Sequence, residues 1–280
     1  MTGKSFEIRR MERHELSQAA DWAAAEGWNP GLNEAPCFYA ADPSGFFLGL
    51  LDGEPIACIS GVAYDETFGF LGFYIVKPEH RGKGYGLRIW QACMDYLAAR
   101  NVGLDGVVDQ QANYRKSGFR LAYNNIRYLG RGEAGELSGV VPLSHLPFAE
   151  VEAYDRGCFP VARSSFLAAW LSMQDSTAFG LRREGRLAGY GAIRRCREGH
   201  KIGPLFADDA AAAEALYQAL SAQVPGEAVF LDIPDVNPAA KALVARHDMT
   251  PVFETARMYT GAEPKIDLTK VYGVTTFELG

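Results

Sequence analysis

No stretch of this 280-residue sequence reaches 18 uninterrupted apolar residues, so no segment qualifies as a membrane-spanning helix. The opening residues, Met1 to Arg13, are mixed polar and charged and hold no apolar run of the kind a secretory signal needs. A cytoplasmic protein with no membrane partner is the expectation. Basic excess is missing as well. Lys and Arg number 28 against 34 Asp and Glu, and the resulting net charge of −6 argues against the broad cationic face that nucleic acid requires. A small basic pocket stays compatible with that balance. The five cysteines (Cys37, Cys58, Cys93, Cys158, Cys196) are scattered, without the close pairs of zinc or redox sites, and read as buried thiols. The five histidines form no i,i+4 pair, and no metal is expected.

Apolar material, in contrast, is plentiful. Hydrophobic residues make up 48% of the chain and charged residues 22%, enough for sizeable cores and, at this length, for two domains. Phe6 to Glu12 alternates like a strand, and Glu15 to Gly27 is rich in Ala, Leu and Trp and stops at a glycine, like a helix. Phe46 to Leu51 and Ile56 to Ala63 flank Asp52-Gly53-Glu54-Pro55, which predicts a hairpin. Phe68 to Val76 is a further strand. It is followed by a glycine-rich turn and by Leu87, Trp90, Met94 and Leu97, spaced as one face of a helix. Leu104 to Val108 predicts a short strand, Ala112 to Ser117 a short helix, and Arg120 to Tyr128 an extended segment that closes the first unit.

Gly130 to Gly139 holds four glycines and reads as a linker. The pattern then recurs. Leu181 to Ile193 restates the hairpin, Lys201 to Phe206 the long strand, and Ala211 to Leu220 the helix. Val229 to Asp232 parallels Gly106 to Asp109, and Phe253 to Tyr259, with Arg257, parallels Tyr123 to Tyr128, with Arg127. The order predicts a divergent internal duplication at a spacing of about 130 residues.

One segment carries chemistry. Between Tyr74-Ile75-Val76 and the amphipathic helix lies Arg81-Gly82-Lys83-Gly84-Tyr85-Gly86. Alternate glycines bring backbone N–H groups close to phosphate oxygens, and the helix dipole adds partial positive charge at the same point. Arg81 and Lys83 add formal charge. A dinucleotide fingerprint needs glycine at position 87, which is Leu87, and the Gly-Lys-Ser/Thr ending of a Walker loop is missing.

The segment resembles the acyl-CoA signature of the Gcn5-related N-acetyltransferase (GNAT) family, Arg/Gln-x-x-Gly-x-Gly/Ala, through Arg81, Gly84 and Gly86. A second family motif, Tyr-x-x-x-Gly-Phe, is met by Tyr114 to Phe119. The resemblance implies an α/β (α+β) fold of two tandem GNAT-like domains, each a mixed, mostly antiparallel twisted sheet flanked by helices. It implies acetyl-CoA as cosubstrate, held by Tyr74, Ile75 and Val76 of a splayed strand and by Arg81, Gly82, Lys83, Gly84, Tyr85 and Gly86. Asn113 and Lys116 either touch the CoA tail or face solvent. Tyr114 is either the acid that protonates the departing thiolate or a packing residue, and the backbone N–H of Val76 would stabilise the developing oxyanion.

An amine arriving as ammonium must lose a proton. Asp65, Glu66 and Asp109 are candidates for that step, each read more readily as a solvated turn carboxylate, and the base stays unassigned. In the second unit the corresponding turn reads Lys201-Ile202-Gly203-Pro204-Leu205-Phe206-Ala207-Asp208-Asp209. Proline removes an N–H there, and the aspartates would repel pyrophosphate. The division expected is a catalytic domain over 1–131, a linker over 132–139, and a degenerate domain over 140–280 that walls the acceptor pocket. There Asp232 and Asp235 are weak candidates for an ammonium site, Phe159, Pro160 and Arg163 form a second patch, and Asn237-Pro238 reads as a helix cap. The leading function is acetyl transfer to the primary amine of a small molecule such as an amino acid, amino sugar or polyamine. A protein lysine or N-terminus is the second option, and a CoA-binding regulatory module without transfer the third.

Overall fold

The computed structural model describes residues 5–135 and 139–280. In the first half the strands are β1 (Phe6–Arg10), β2 (Phe46–Leu51), β3 (Glu54–Ala63), β4 (Phe68–Val76), β5 (Asn101–Val107) and β6 (Arg120–Arg131). Its helices are α1 (Leu16–Ala25), α2 (Ala35–Ala41), α3 (Tyr85–Leu97) and α4 (Gln111–Lys116). The second half holds β7 (Val140–Pro142), β8 (Ser176–Arg183), β9 (Arg186–Arg195), β10 (His200–Ala207), β11 (Ala228–Pro234), β12 (Thr250–Tyr259) and β13 (Val271–Gly273). Its helices are α5 (Phe148–Cys158), α6 (Ser164–Leu171), α7 (Ala210–Ser221) and α8 (Pro238–Arg246). No helix among the described residues is long and apolar enough to cross a membrane.

Local chemistry accounts for these elements. Asp52 and Gly53 both take positive φ (52° and 87°), the backbone of a tight two-residue turn between β2 and β3. Asn237 caps α8 by accepting from Ala239 N–H at 3.0 Å and Ala240 N–H at 3.2 Å, as the cap reading of Asn237-Pro238 expects. On α3 the buried face is Ile89, Trp90, Cys93 and Leu97; of the residues expected there Trp90 and Leu97 are buried and Met94 packs at the margin, whereas Leu87 stands 70% exposed. The rotation is set where Gly86 meets β4, since a Cβ there would lie 2.7 Å from Tyr74 Oη and 3.2 Å from Val76 Cγ2.

The strands form one mixed, mostly antiparallel sheet in the order β1-β2-β3-β4-β5-β12-β6-β11-β10-β9-β8-β7, with β13 on β10. The expectation that residues 120–128 close the first unit is corrected here. β6 never pairs with β5; it pairs with β12 and β11 of the second half, and β12 takes the place beside β5. Each half lends its last strand to the other. The glycines expected as a linker are partly strand as well, since β6 runs through Gly130 and Arg131, paired with Val229 and Ala228; residues 136–138 of the linker lie outside the described residues.

Two buried ion pairs pin this exchange. Arg257 on β12 grips Asp105 on β5 through Nε and Nη2 at 2.8 and 2.6 Å, and Arg127 on β6 grips Asp232 on β11 at 2.7 and 2.8 Å. Asp232 therefore corresponds to Asp105, four residues before the position the sequence comparison gave it. Glu34 and Arg194 form a third buried pair across the halves. Desolvation makes such pairs poor net stabilisers, but breaking one strands a buried charge.

Candidate active site

β4 and β5 run parallel and hydrogen-bonded only from Phe68–Asn101 to Leu71–Leu104. Beyond that the two strands part, while β5 stays paired along its other edge with β12 as far as Val107. β4 is also bulged: Phe73 sits at φ 47°, where the register against β3 slips, and the Cys58 thiol donates to its carbonyl at 3.2 Å. A cavity of about 690 Å³ fills the opening, lined by β4 from Leu71 to Val76, β5 from Leu104 to Val107, the glycine turn, and Tyr114.

The ladder orients the last β4 residues. Lys77 N–H donates to Ile56 O at 2.9 Å, so the next bonded pair is Ile75 with Cys58, and Val76 directs its N–H and C=O away from β3 toward the gap. The Val76 carbonyl is taken by Arg81 Nε at 2.7 Å. The Val76 N–H has no such partner among the described residues.

At the mouth, Gly82 and Gly84 take φ 73° and 84°, and a Cβ at either would meet nothing within 4 Å. Backbone there faces open space. Gly84 is the N-cap of α3 and supplies no side-chain cap, so the first-turn N–H groups of a 13-residue helix are left for an external acceptor. This fits a diphosphate. Arg81 lines the cavity, and its guanidinium is bound to Glu26 as well as to Val76 O.

Tyr114 is buried, with its ring stacked on Trp90 at 5.8 Å and pressed on Gly106, where a Cβ would fall 2.2 Å from the ring. Burial pushes the phenol up to about 12, with the nearby Tyr74 adding to the shift. The hydroxyl keeps its proton near neutral pH and has no hydrogen-bond partner among the described residues.

Of the residues expected from sequence, Tyr74, Ile75, Val76, Arg81, Gly82, Gly84, Gly86 and Tyr114 converge on this cavity. Lys83, Tyr85, Asn113 and Lys116 do not line it. Lys83 Nζ donates to Glu79 O at 2.6 Å, Tyr85 packs on Phe6 at 4.7 Å, and Asn113 donates to Gln110 at 2.8 Å. Of the three carboxylates expected as a base, Asp65, Glu66 and Asp109, only Asp109 reaches the cavity. Asp65 accepts from Thr67 and Phe68 N–H at 2.7 and 2.9 Å, and Glu66 is exposed beside Arg100. Asp232 and Arg163 are spent in buried ion pairs, the latter with Asp155 at 2.7 Å, while Asp235 accepts from Asn124 N–H at 3.2 Å.

The second half shows what such a gap does when the chain fills it. β10 pairs with β11 only from His200–Val229 to Ile202–Leu231, the same short contact that β4 makes with β5. In the space beyond, β13 pairs antiparallel with β10 through Leu205–Gly273 and Phe206–Val271. At the helix that follows, Asp209 accepts from Ala212 N–H at 2.9 Å and occupies the end that α3 leaves open.

Past β13 the chain crosses to the first half and completes the wall opposite β4. Trp28, Phe253, Thr255, Phe277 and Glu278 line this side. Arg127 lies over Phe277 and Phe253 at 4.9 and 5.5 Å, and Gly72 admits the Glu278 carbonyl, which a Cβ would approach to 2.1 Å. Glu278 is a residue that sequence reasoning missed. It is 4% exposed, and burial first, then the neighbouring Glu34, push its carboxyl above the ordinary range against the pull of Lys201, Thr276 and Arg127.

Comparison with known proteins agrees with this architecture. A model of the acetyltransferase (GNAT) family matches residues 10–119, and one of the acetyltransferase (GNAT) domain matches residues 151–273. Holothin acyltransferase of Pseudoalteromonas sp. (strain SANK 73390) is 33% identical over 263 residues, covering 93% of this chain and 90% of that protein. Two solved structures share the fold. One, from Pyrococcus horikoshii and assigned to the acetyltransferases, has a TM-score of 0.85 at 21% identity over 100% of this chain and 97% of its own. The other is a tandem GNAT protein from the clavulanic acid biosynthesis pathway, with a TM-score of 0.65 at 13% identity over 92% of this chain and 100% of its own. The chain belongs to the GNAT family, carries two GNAT units in tandem, and is an acyltransferase.

Proposed function

We propose that this acyltransferase carries an acetyl group from acetyl-CoA to the primary amine of a small molecule, by direct attack in a ternary complex, at one site per chain in the first half. The observation that carries the reading is the contrast between the two gaps. The β4–β5 gap is open at an uncapped glycine turn, whereas its counterpart beside β10 is filled by β13 and capped by Asp209. A strand that fits the second gap is a template for an extended pantetheine arm in the first.

In this reading Tyr74, Ile75 and Val76 offer backbone to the arm, and Gly82, Gly84 and Gly86 let the α3 N-terminus reach the diphosphate. The free Val76 N–H points at the thioester carbonyl, where negative charge develops. Tyr114 presents a protonated hydroxyl to the leaving sulfur. The enclosing wall from the second half favours a small acceptor over a peptide, and the cytoplasm is the compartment expected.

The test is thiol release from acetyl-CoA, and from a longer acyl-CoA, against amino acids, amino sugars, polyamines, aromatic amines and a lysine peptide. Holothin belongs in the panel, since the Pseudoalteromonas relative is named for it. Release with a small amine supports the proposal, and release with the peptide alone replaces the acceptor class. CoA binding without release in any arm would make the protein a regulatory module instead.

A further inference from the structure

The proposed chemistry leaves one proton without a destination. An amine that becomes an amide loses an N–H, and Asp65 and Glu66, two of the carboxylates suggested by sequence, sit on a turn away from the cavity. Asp109 lines it from the β5 end, by the short helix that carries Tyr114.

Resting on the acetyltransfer reading, we infer that Glu278, delivered across the seam by the second half, accepts the proton that the acceptor amine gives up. Its backbone lies against Gly72, beside the bulge at Phe73 that opens β4. It lines the same cavity as Val76 and Tyr114, on the wall that Trp28, Phe253 and Phe277 make apolar.

The charges around Glu278 suit the task. Glu34, Lys201, Arg127 and Thr276 face it, and Arg194 stands behind Glu34. The two neighbouring carboxyls are driven apart. Glu34 is held low by Arg194, Lys201 and the Gly31 N–H despite its burial, whereas Glu278 is raised by burial and by Glu34 itself. A carboxyl raised above its ordinary value by burial and by Glu34 holds a proton more firmly than a free one, which favours its work as a base.

The step balances. The amine lone pair forms the N–C bond to the thioester carbon, the C–S bond breaks with its electron pair passing to sulfur, and the N–H proton passes to the Glu278 carboxylate. Sulfur takes a proton from Tyr114, whose phenolate is reprotonated from solvent as Glu278 releases its proton there.

The experiment compares wild type, Glu278→Gln and Glu278→Asp, using acetyl-CoA with aniline, benzylamine, tryptamine, glucosamine and lysine. Glu278→Gln should lower kcat by about 10²- to 10⁴-fold with acetyl-CoA affinity within about twofold, and Glu278→Asp should recover part of the rate. Its melting temperature above neutral pH should not fall, because removing a carboxyl with a raised folded value removes an unfavourable buried charge. Should the variant unfold, the wild-type pH profile decides. With aniline, which carries no ammonium charge at mildly acidic pH, kcat/KM should fall below a limb lying above the usual carboxylate range. A profile whose acid limb lies no higher than that of an ordinary glutamate, about 4.3, overturns the inference. So does a Glu278→Gln rate within about threefold of wild type. A wild type that binds acetyl-CoA and releases no thiol with any amine removes the transfer reading and this inference together.

Discussion

Gly84→Asp separates charge from shape at the cradle. Gly84 has φ 84° with nothing within 4 Å of a Cβ, so a side chain meets no steric barrier and suffers only left-handed backbone strain. That strain is about 1–2 kcal/mol for most residues and less for Asp and Asn, which tolerate the region best. Gly84→Asn adds nearly the same shape without charge and should weaken acetyl-CoA binding only a few-fold. Gly84→Asp adds a carboxylate where the diphosphate is expected. At about 5 Å and an effective dielectric of about 20, repulsion from one phosphate charge is about 3 kcal/mol, or roughly two orders of magnitude in Kd. Isothermal titration calorimetry on both variants reads the difference directly. The gap should narrow as salt rises, because an exposed mouth is screened. Asp and Asn variants binding within about threefold of each other at low salt would refute the placement of phosphate at this turn.

Tyr114→Phe should leave acetyl-CoA affinity near wild type and lower kcat by about 10²-fold or more, measured by thiol release; an unchanged kcat would make Tyr114 a packing residue. With its phenol pushed up to about 12, Tyr114 stays protonated through neutral and mildly alkaline pH, so it should contribute no loss of activity there. Arg127→Met and Arg257→Met each strand a buried aspartate and should destabilise by about 3–5 kcal/mol, seen as a large fall in Tm; a loss under about 1 kcal/mol would contradict the pinning role. Arg127 and its salt bridge hold Asp232 below its ordinary value despite burial, so its contribution is complete above the unfolded value of about 3.9 and is lost as pH falls through the lower folded value. Wild-type Tm should therefore drop more steeply in that acid window than Tm of Asp232→Asn. Gly72→Ala pushes on the Glu278 carbonyl and should raise KM for the amine with little change for acetyl-CoA, in a two-substrate kinetic matrix.

The elements legible in the sequence were those made by near neighbours. The β2–β3 turn, the strand before the glycine turn and the α8 cap depend on residues within a few positions of one another, and each was placed within about two residues. What was not legible depends on partners far along the chain. Two related halves offer β6 and β12 similar edges, so nothing local tells either strand which β5-like partner it joins. In the fold Asp105 pairs with Arg257 and Asp232 with Arg127, across separations of 152 and 105 residues. The same limit hid β13. Val271–Gly273 is too short for a period-two pattern, and its role as a filler is visible only once β10 and β11 part. It also hid the rotation of α3, fixed by one glycine against Tyr74 rather than by the helix's own spacing. Glu278 escaped for a related reason: a carboxylate acquires its environment from Glu34, Lys201 and Arg127, none of them its sequence neighbour.

The central claim is that one gap in the sheet is open to acetyl-CoA and the other is closed by the chain itself. Calorimetric titration of the intact protein with acetyl-CoA tests it most directly. One site per chain, weakened about 100-fold at low salt in Gly84→Asp and unaffected by Asp209→Ala, is the predicted result. Two sites per chain, or one site as tight in Gly84→Asp as in wild type, would contradict it.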